Sequence, residues 1–316
     1  MFSDILCWLN TQAVMFASSA LLMAVDTPSV RCDAGVIKTT VSDDVKLRTQ
    51  AGVRIAVAGG AITEILYALG AEADVVAVDA TSLYPGEALT TKKNLGYFRA
   101  LSTEGVLSTT PTMIIASDKA GPPEVVKALK STGVTFHEID DRPTPDALVE
   151  RVRAVARIVG KAAEGEALAA SITTRFRSVA DARMQIKAPL KKVLFVFSIS
   201  GGRVVVGGGN SGAGAMIELA GGINAAAAVD GYKPVSEEAL LGLAPDVIVF
   251  TSGRSQGAVR AQIEASAPMM ATAAGRSRAF VEMDGLYLLG FGPRTPEAAR
   301  DLMAGIYGPP APPATR

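Results

Sequence analysis

The sequence predicts an α/β protein of two Rossmann-like lobes with parallel-rich sheets, joined by a single long helix, with a ligand cleft between the lobes. Three observations lead there. A short segment recurs at a fixed offset. Each copy follows a strand, a Gly-rich turn and a helix. A long helical stretch separates the copies.

The repeat carries most of the argument. Residues 102–115 read STEGVLSTTPTMII and residues 236–249 read SEEALLGLAPDVIV. Ser102 aligns with Ser236, Glu104 with Glu238, Leu107 with Leu241, Pro111 with Pro245 and Ile114 with Ile248, a constant offset of 134. Each copy reads as a Ser cap, a short helix, a Pro break and a β-branched strand. Upstream lie RIAVAGGAITEILYALGAEADVVAVD (54–79) and KVLFVFSISGGRVVVGGGNSGAGAMIELAGGINAAAAVD (192–230). Strands that alternate with helices imply parallel βαβ units with helices on the sheet faces.

Residues 144–187 separate the copies. Leu148, Val152, Val155 and Val159 recur at helical spacing, as do Leu168, Ile172, Phe176 and Val179. Gly160 and Gly165 are expected to divide the stretch, and Pro189 to close it. The expected organisation is a segment 1–34, an N-terminal lobe 52–142, an end helix and interlobe helix 144–188, a C-terminal lobe 190–307 and a disordered Pro-rich tail 308–316. Residues 13–25, AVMFASSALLMAV, are too short to span a membrane and suit the apolar region of an export signal. The fit is atypical, because no basic residue precedes Arg31; Met15 is an alternative start.

Composition removes several function classes. The 316 residues carry 31 basic and 31 acidic side chains, so no charge excess is available for binding nucleic acid. A hydrophobic fraction of 49 % supplies a sizeable core. The one histidine, His137, and two cysteines, Cys7 and Cys32, cannot assemble HExxH, CxxC or His-rich metal sites. Gly207, Gly209 and Gly212 form G-x-G-x-x-G with Asp230 downstream, a dinucleotide pattern. It follows two strands of the second lobe rather than opening a domain, so a NAD-dependent oxidoreductase is the outlying alternative.

Ligands of open α/β sheets bind beyond the carboxyl ends of the strands. The loops to inspect there include DATSLYPG (79–86), NLGYFRAL (94–101), AGPP (120–123) and TSGRSQG (251–257). Together with AGGAITEILYALG and GFGPRTPEA they resemble the periplasmic haem-binding proteins of bacterial ABC importers, a helix-hinged class of substrate-binding protein. The resemblance covers residues 52–307.

That resemblance implies a non-catalytic protein that binds haem b as transported ligand and delivers it to ABC permease subunits. It implies a periplasmic location, a monomer and supply from an outer-membrane receptor. Tyr84 matches the axial iron ligand, with Tyr97 as runner-up. A free phenol titrates at about 10, so ligation needs the iron or a nearby cation to remove its proton. Some members carry Arg two residues after the Tyr; here Gly86 stands there. Arg99 and Arg254 are candidates for that cation or for haem propionates, and Tyr232 for the cleft wall. One haem is expected, because His137 lies at a strand end rather than in the cleft. Glu64 and Glu218 are the docking candidates for the permease. A siderophore or cobalamin binder of the same class is the nearer alternative.

Overall fold

The computed structural model describes residues 52–200, 203–252 and 257–309. The expected export segment, Arg254 and residues 310–316 of the tail lie outside the described residues. No helix among the described residues is long and apolar enough to cross a membrane.

The N-terminal lobe runs β1 (Ile55–Ala58), α1 (Gly60–Ala68), β2 (Val75–Val78), α2 (Glu87–Thr91), β3 (Lys93–Asn94), α3 (Thr103–Leu107), β4 (Met113–Ser117), α4 (Pro123–Lys130) and β5 (Thr135–Ile139). Its sheet has the order β3-β2-β1-β4-β5 and is parallel throughout. Strand β1, IAVA, is buried along its whole length. Small and β-branched residues on both faces let helices pack on each side, as a central parallel strand requires.

Helices α5 (Pro145–Ile158) and α6 (Ala162–Met184) follow. Thr144 caps α5 by accepting from the Ala147 amide, with Pro145 at the first helical position. Gly160, at φ +70°, ends it. The Lys161 amide reaches the Ala156 carbonyl and the Gly160 amide the Arg157 carbonyl, the paired bonds of a Schellman motif. Gly165 does not divide the stretch as expected. It lies inside α6, where an added Cβ would stand 2.2 Å from the Ala156 Cβ. The glycine serves close α5–α6 packing instead. Helix α6 is the interlobe strut: Ile172 is buried in the N-terminal core and Val179 in a C-terminal one.

The C-terminal lobe runs β6 (Lys192–Ser200), β7 (Arg203–Gly207), α7 (Gly212–Leu219), β8 (Ile223–Asn224), β9 (Tyr232–Val235), α8 (Glu237–Leu243), β10 (Val247–Ser252), α9 (Gly257–Ala265), α10 (Ala267–Met270), α11 (Ala273–Ser277), β11 (Phe280–Asp284), α12 (Gly285–Leu289) and α13 (Thr295–Tyr307). Strands β11, β10, β6 and β8 are parallel neighbours, whereas β7 pairs antiparallel with β6 and β9. The repeat is visible in the caps. The Ser102 hydroxyl accepts from the Gly105 amide at 2.9 Å to start α3, and Ser236 from the Ala239 amide at 3.2 Å to start α8.

Replacing Gly165 with Ala gains helix propensity of up to about 1 kcal/mol but overpacks against the Ala156 methyl, at a typical cost of about 1–3 kcal/mol. The expected result is a lower denaturant midpoint with unchanged slope in an unfolding titration.

Candidate functional site

The carboxyl ends of the strands in the two lobes face each other. Gly60 follows β1, and a Cβ there would stand 2.9 Å from the Leu286 Cδ1, which follows β11. The loops that leave these ends therefore line the cleft between the lobes.

Asp79 builds the loop after β2. Its carboxylate is fully buried and accepts from the Gly59 amide (2.8 Å), the Thr81 amide (2.9 Å), the Thr81 hydroxyl (2.6 Å) and the Ser82 hydroxyl (3.1 Å). The Ser82 and Thr63 hydroxyls meet at 2.7 Å, tying the loop to α1. Glycine is required at position 60, because an added Cβ would lie 2.3 Å from the Thr81 carbonyl oxygen. So clamped, the loop presents Leu83 and Tyr84 outward, 50 % and 44 % exposed. The Tyr84–Pro85 and Gly121–Pro122 peptides are cis.

The second N-terminal loop carries Tyr97, Phe98 and Arg99. The Gly121 amide donates to the Phe98 carbonyl at 3.0 Å, and the Leu101 amide to the Gly121 carbonyl at 2.9 Å, so AGPP braces this loop. Tyr97 is exposed and meets Phe98 edge-on at 5.1 Å. The Arg99 guanidinium lies 5.2 Å from the Phe98 ring centre.

On the C-terminal side, Tyr232 packs against Phe195 and Phe197 with ring centres 6.3 and 5.6 Å away. Its ring is half exposed, but its hydroxyl turns inward and accepts from the Ala213 amide at 3.2 Å. Burial of that oxygen pushes the Tyr232 phenol upward, partly opposed by these hydrogen bonds and by the Arg99 charge. Phe197, Tyr232 and Tyr97 thus offer apolar ring surface.

Arg294, between α12 and α13, was not singled out from the sequence. Its guanidinium carbon stands 3.5 Å from the centre of the Tyr84 ring and 5.1 Å from that of Tyr287. Burial, and then the hydrogen bond to Asp301, push the Tyr287 phenol far up, so that side chain stays protonated. The available signal was the GFGPRTPEA motif, but nothing local connects an Arg there to a Tyr in the other lobe.

Several sequence-predicted residues fall elsewhere. Glu64 is not on a surface open to a partner. It is 4 % exposed and holds Arg294 through the amide (3.0 Å), Nε (3.1 Å) and Nη2 (3.0 Å). The helix around it is buried from Gly60 to Leu66, so a lone carboxylate there needs an internal partner. Glu218 is exposed on α7. His137 lies mid-strand in β5, paired with Ile115, rather than at a strand end. Arg254 lies outside the described residues.

The glycine-rich decoy is occupied by the chain itself. A Cβ on Gly208 would stand on the Val229 carbonyl, and one on Gly209 would meet the Ala227 carbonyl at 2.6 Å. Asp230 accepts from Asn210 at 3.1 Å. These glycines admit the 227–230 backbone where a dinucleotide would bring its pyrophosphate. Met216 is core, fully buried.

Comparison with known proteins matches this architecture. A periplasmic binding protein family model matches residues 55–286. The structure of the periplasmic heme-binding protein RhuT from Roseiflexus sp. RS-1 in apo form is 37 % identical, with TM-score 0.77, over 81 % of this chain and 98 % of that one. The periplasmic heme-binding protein HutB of Vibrio cholerae is 31 % identical, with TM-score 0.72, over 81 % of this chain and all of that one. A cobalamin-binding protein of Halobacterium salinarum is 27 % identical over 62 % of this chain and 53 % of its own length. The first curated relatives are matched over only 53–63 % of their length. The family model spans both lobes and the strut between them, and the chain belongs to the periplasmic binding protein family.

Proposed function

We propose that the protein binds haem in the interlobe cleft through the Tyr84 oxygen and hands it to an ABC permease. The observation that carries this reading is the setting of Tyr84: a half-exposed phenol on a clamped loop, with a guanidinium laid on its ring. A phenolate is a hard anionic donor suited to ferric iron, and tyrosine is a known haem ligand. Arg294 lays positive charge over the ring whose oxygen becomes negative on ligation. Phe197, Tyr232 and Tyr97 supply apolar surface for a porphyrin, and Arg99 suits a propionate. Similarity above 30 % to heme-binding neighbours supports the same ligand. No bond of the ligand is made or broken in this role, and the family points to the periplasm. Glu218 remains the docking candidate.

A second reading, cobalamin, is favoured by the curated relatives that bind it. It gives no role to a half-exposed tyrosine under a guanidinium.

Titration with haemin and, separately, with cyanocobalamin distinguishes the two. Haemin is expected to bind with a long-wavelength charge-transfer band. Tyr84→Phe should abolish that band and weaken binding by more than about 100-fold, beyond what loss of an outer-shell partner costs. Tight cyanocobalamin binding without haemin binding would transfer the assignment.

The clamp gives another test. Asp79→Ala leaves the Gly59 amide unpaired and removes four bonds to a buried carboxylate. Expected are a loss of about 3 kcal/mol in unfolding free energy and weaker haemin binding, because Tyr84 is no longer held.

A further inference from the structure

Arg294 belongs to the C-terminal lobe, yet its head group is held by the other lobe. Glu64 takes its Nε and Nη2 in a bidentate fork and also its backbone amide. The Tyr84 ring covers one face. Gly292 packs close, since a Cβ there would come within 3.1 Å of the Glu64 carboxylate. One step back along the chain, buried Arg151 of α5 donates from Nη1 to the Phe291 carbonyl at 2.8 Å. Phe291 has φ +48°, a left-handed conformation that a bulky residue adopts only when its surroundings impose it. Two buried side chains of one lobe, Glu64 and Arg151, thus fix a strained loop of the other.

We propose that Glu64 is a positioning residue that latches the lobes through Arg294 and holds that guanidinium against Tyr84, so that haem retention depends on interlobe closure. The proposal rests on the haem reading for its second half and stands apart from it for the first. With Glu64 in place, the guanidinium cannot swing to solvent without leaving a buried carboxylate unpaired, which is costly. If the lobes are pulled apart, the Arg294 backbone moves with the C-terminal lobe and its charge leaves the Tyr84 ring. The bound ferric haem then loses the positive charge that balances its phenolate, and release speeds up.

The experiment has two arms. In the first, Lys127→Cys on α4 and Gln262→Cys on α9, both exposed, carry spin labels in a Cys7→Ser, Cys32→Ser background. The interlobe distance distribution is measured without haemin. Glu64→Gln is expected to broaden it and shift it outward, and Arg294→Gln, at the more exposed partner, to do the same. In the second arm, haemin dissociation into excess apomyoglobin is timed. Either variant is expected to release haemin about tenfold faster, and the double variant no faster than Arg294→Gln alone, because Glu64 acts through Arg294. A distance distribution unchanged in both variants overturns the latch. Additive effects on release overturn the positioning role. Should the unsubstituted protein fail to bind haemin, the haem reading falls while the distance arm still decides the latch.

Discussion

The Asp79 carboxylate is the fixed point of the loop that carries Tyr84. A buried, ionisable group survives in a protein core only if its lone pairs are filled. Here four donors from three residues fill them, and those donors define a loop. The same contacts join the loop to the turn after β1. Tyr84 is therefore presented by a rigid platform although it is itself half exposed. Affinity for haem, the proposed ligand, would gain from this, because little ordering entropy remains to be lost on binding.

The second constraint is the way the lobes meet. Helix α6 contributes side chains to both cores, so it is a strut rather than a swivel. The Glu64–Arg294 and Arg151–Phe291 contacts add a second connection between the lobes. A molecule joined at two places opens less freely than one joined at a single flexible strand. Arg294 both lies over the Tyr84 ring and makes this interlobe contact. In the proposed haem reading, binding and closure are then aspects of the same packing arrangement.

Much of the fold was legible in the sequence because its signals are local. The Ser102 and Ser236 caps, the buried β-branched strands and the Gly160 stop all follow from nearest neighbours along the chain. The division expected at Gly165 failed because a helical glycine answers two demands, termination and close packing, and only the tertiary contact with Ala156 tells them apart. Tyr84 was singled out through a family motif, and the structure sets it half exposed on the clamped loop. Arg294 was not, since its pairing with Glu64 spans 230 residues. The Glu64 assignment erred for an identifiable reason. It is the lone charge in GAITEILYA, a helix apolar on nearly every side, and such a charge reads as internal rather than solvated.

The most direct test of the account is a resonance Raman spectrum of the haemin-loaded protein, excited in its long-wavelength band. Phenolate ring modes of a ferric tyrosinate are predicted, absent from Tyr84→Phe. A spectrum without phenolate modes, or with the same modes in that variant, would contradict the assignment of Tyr84 as the iron ligand.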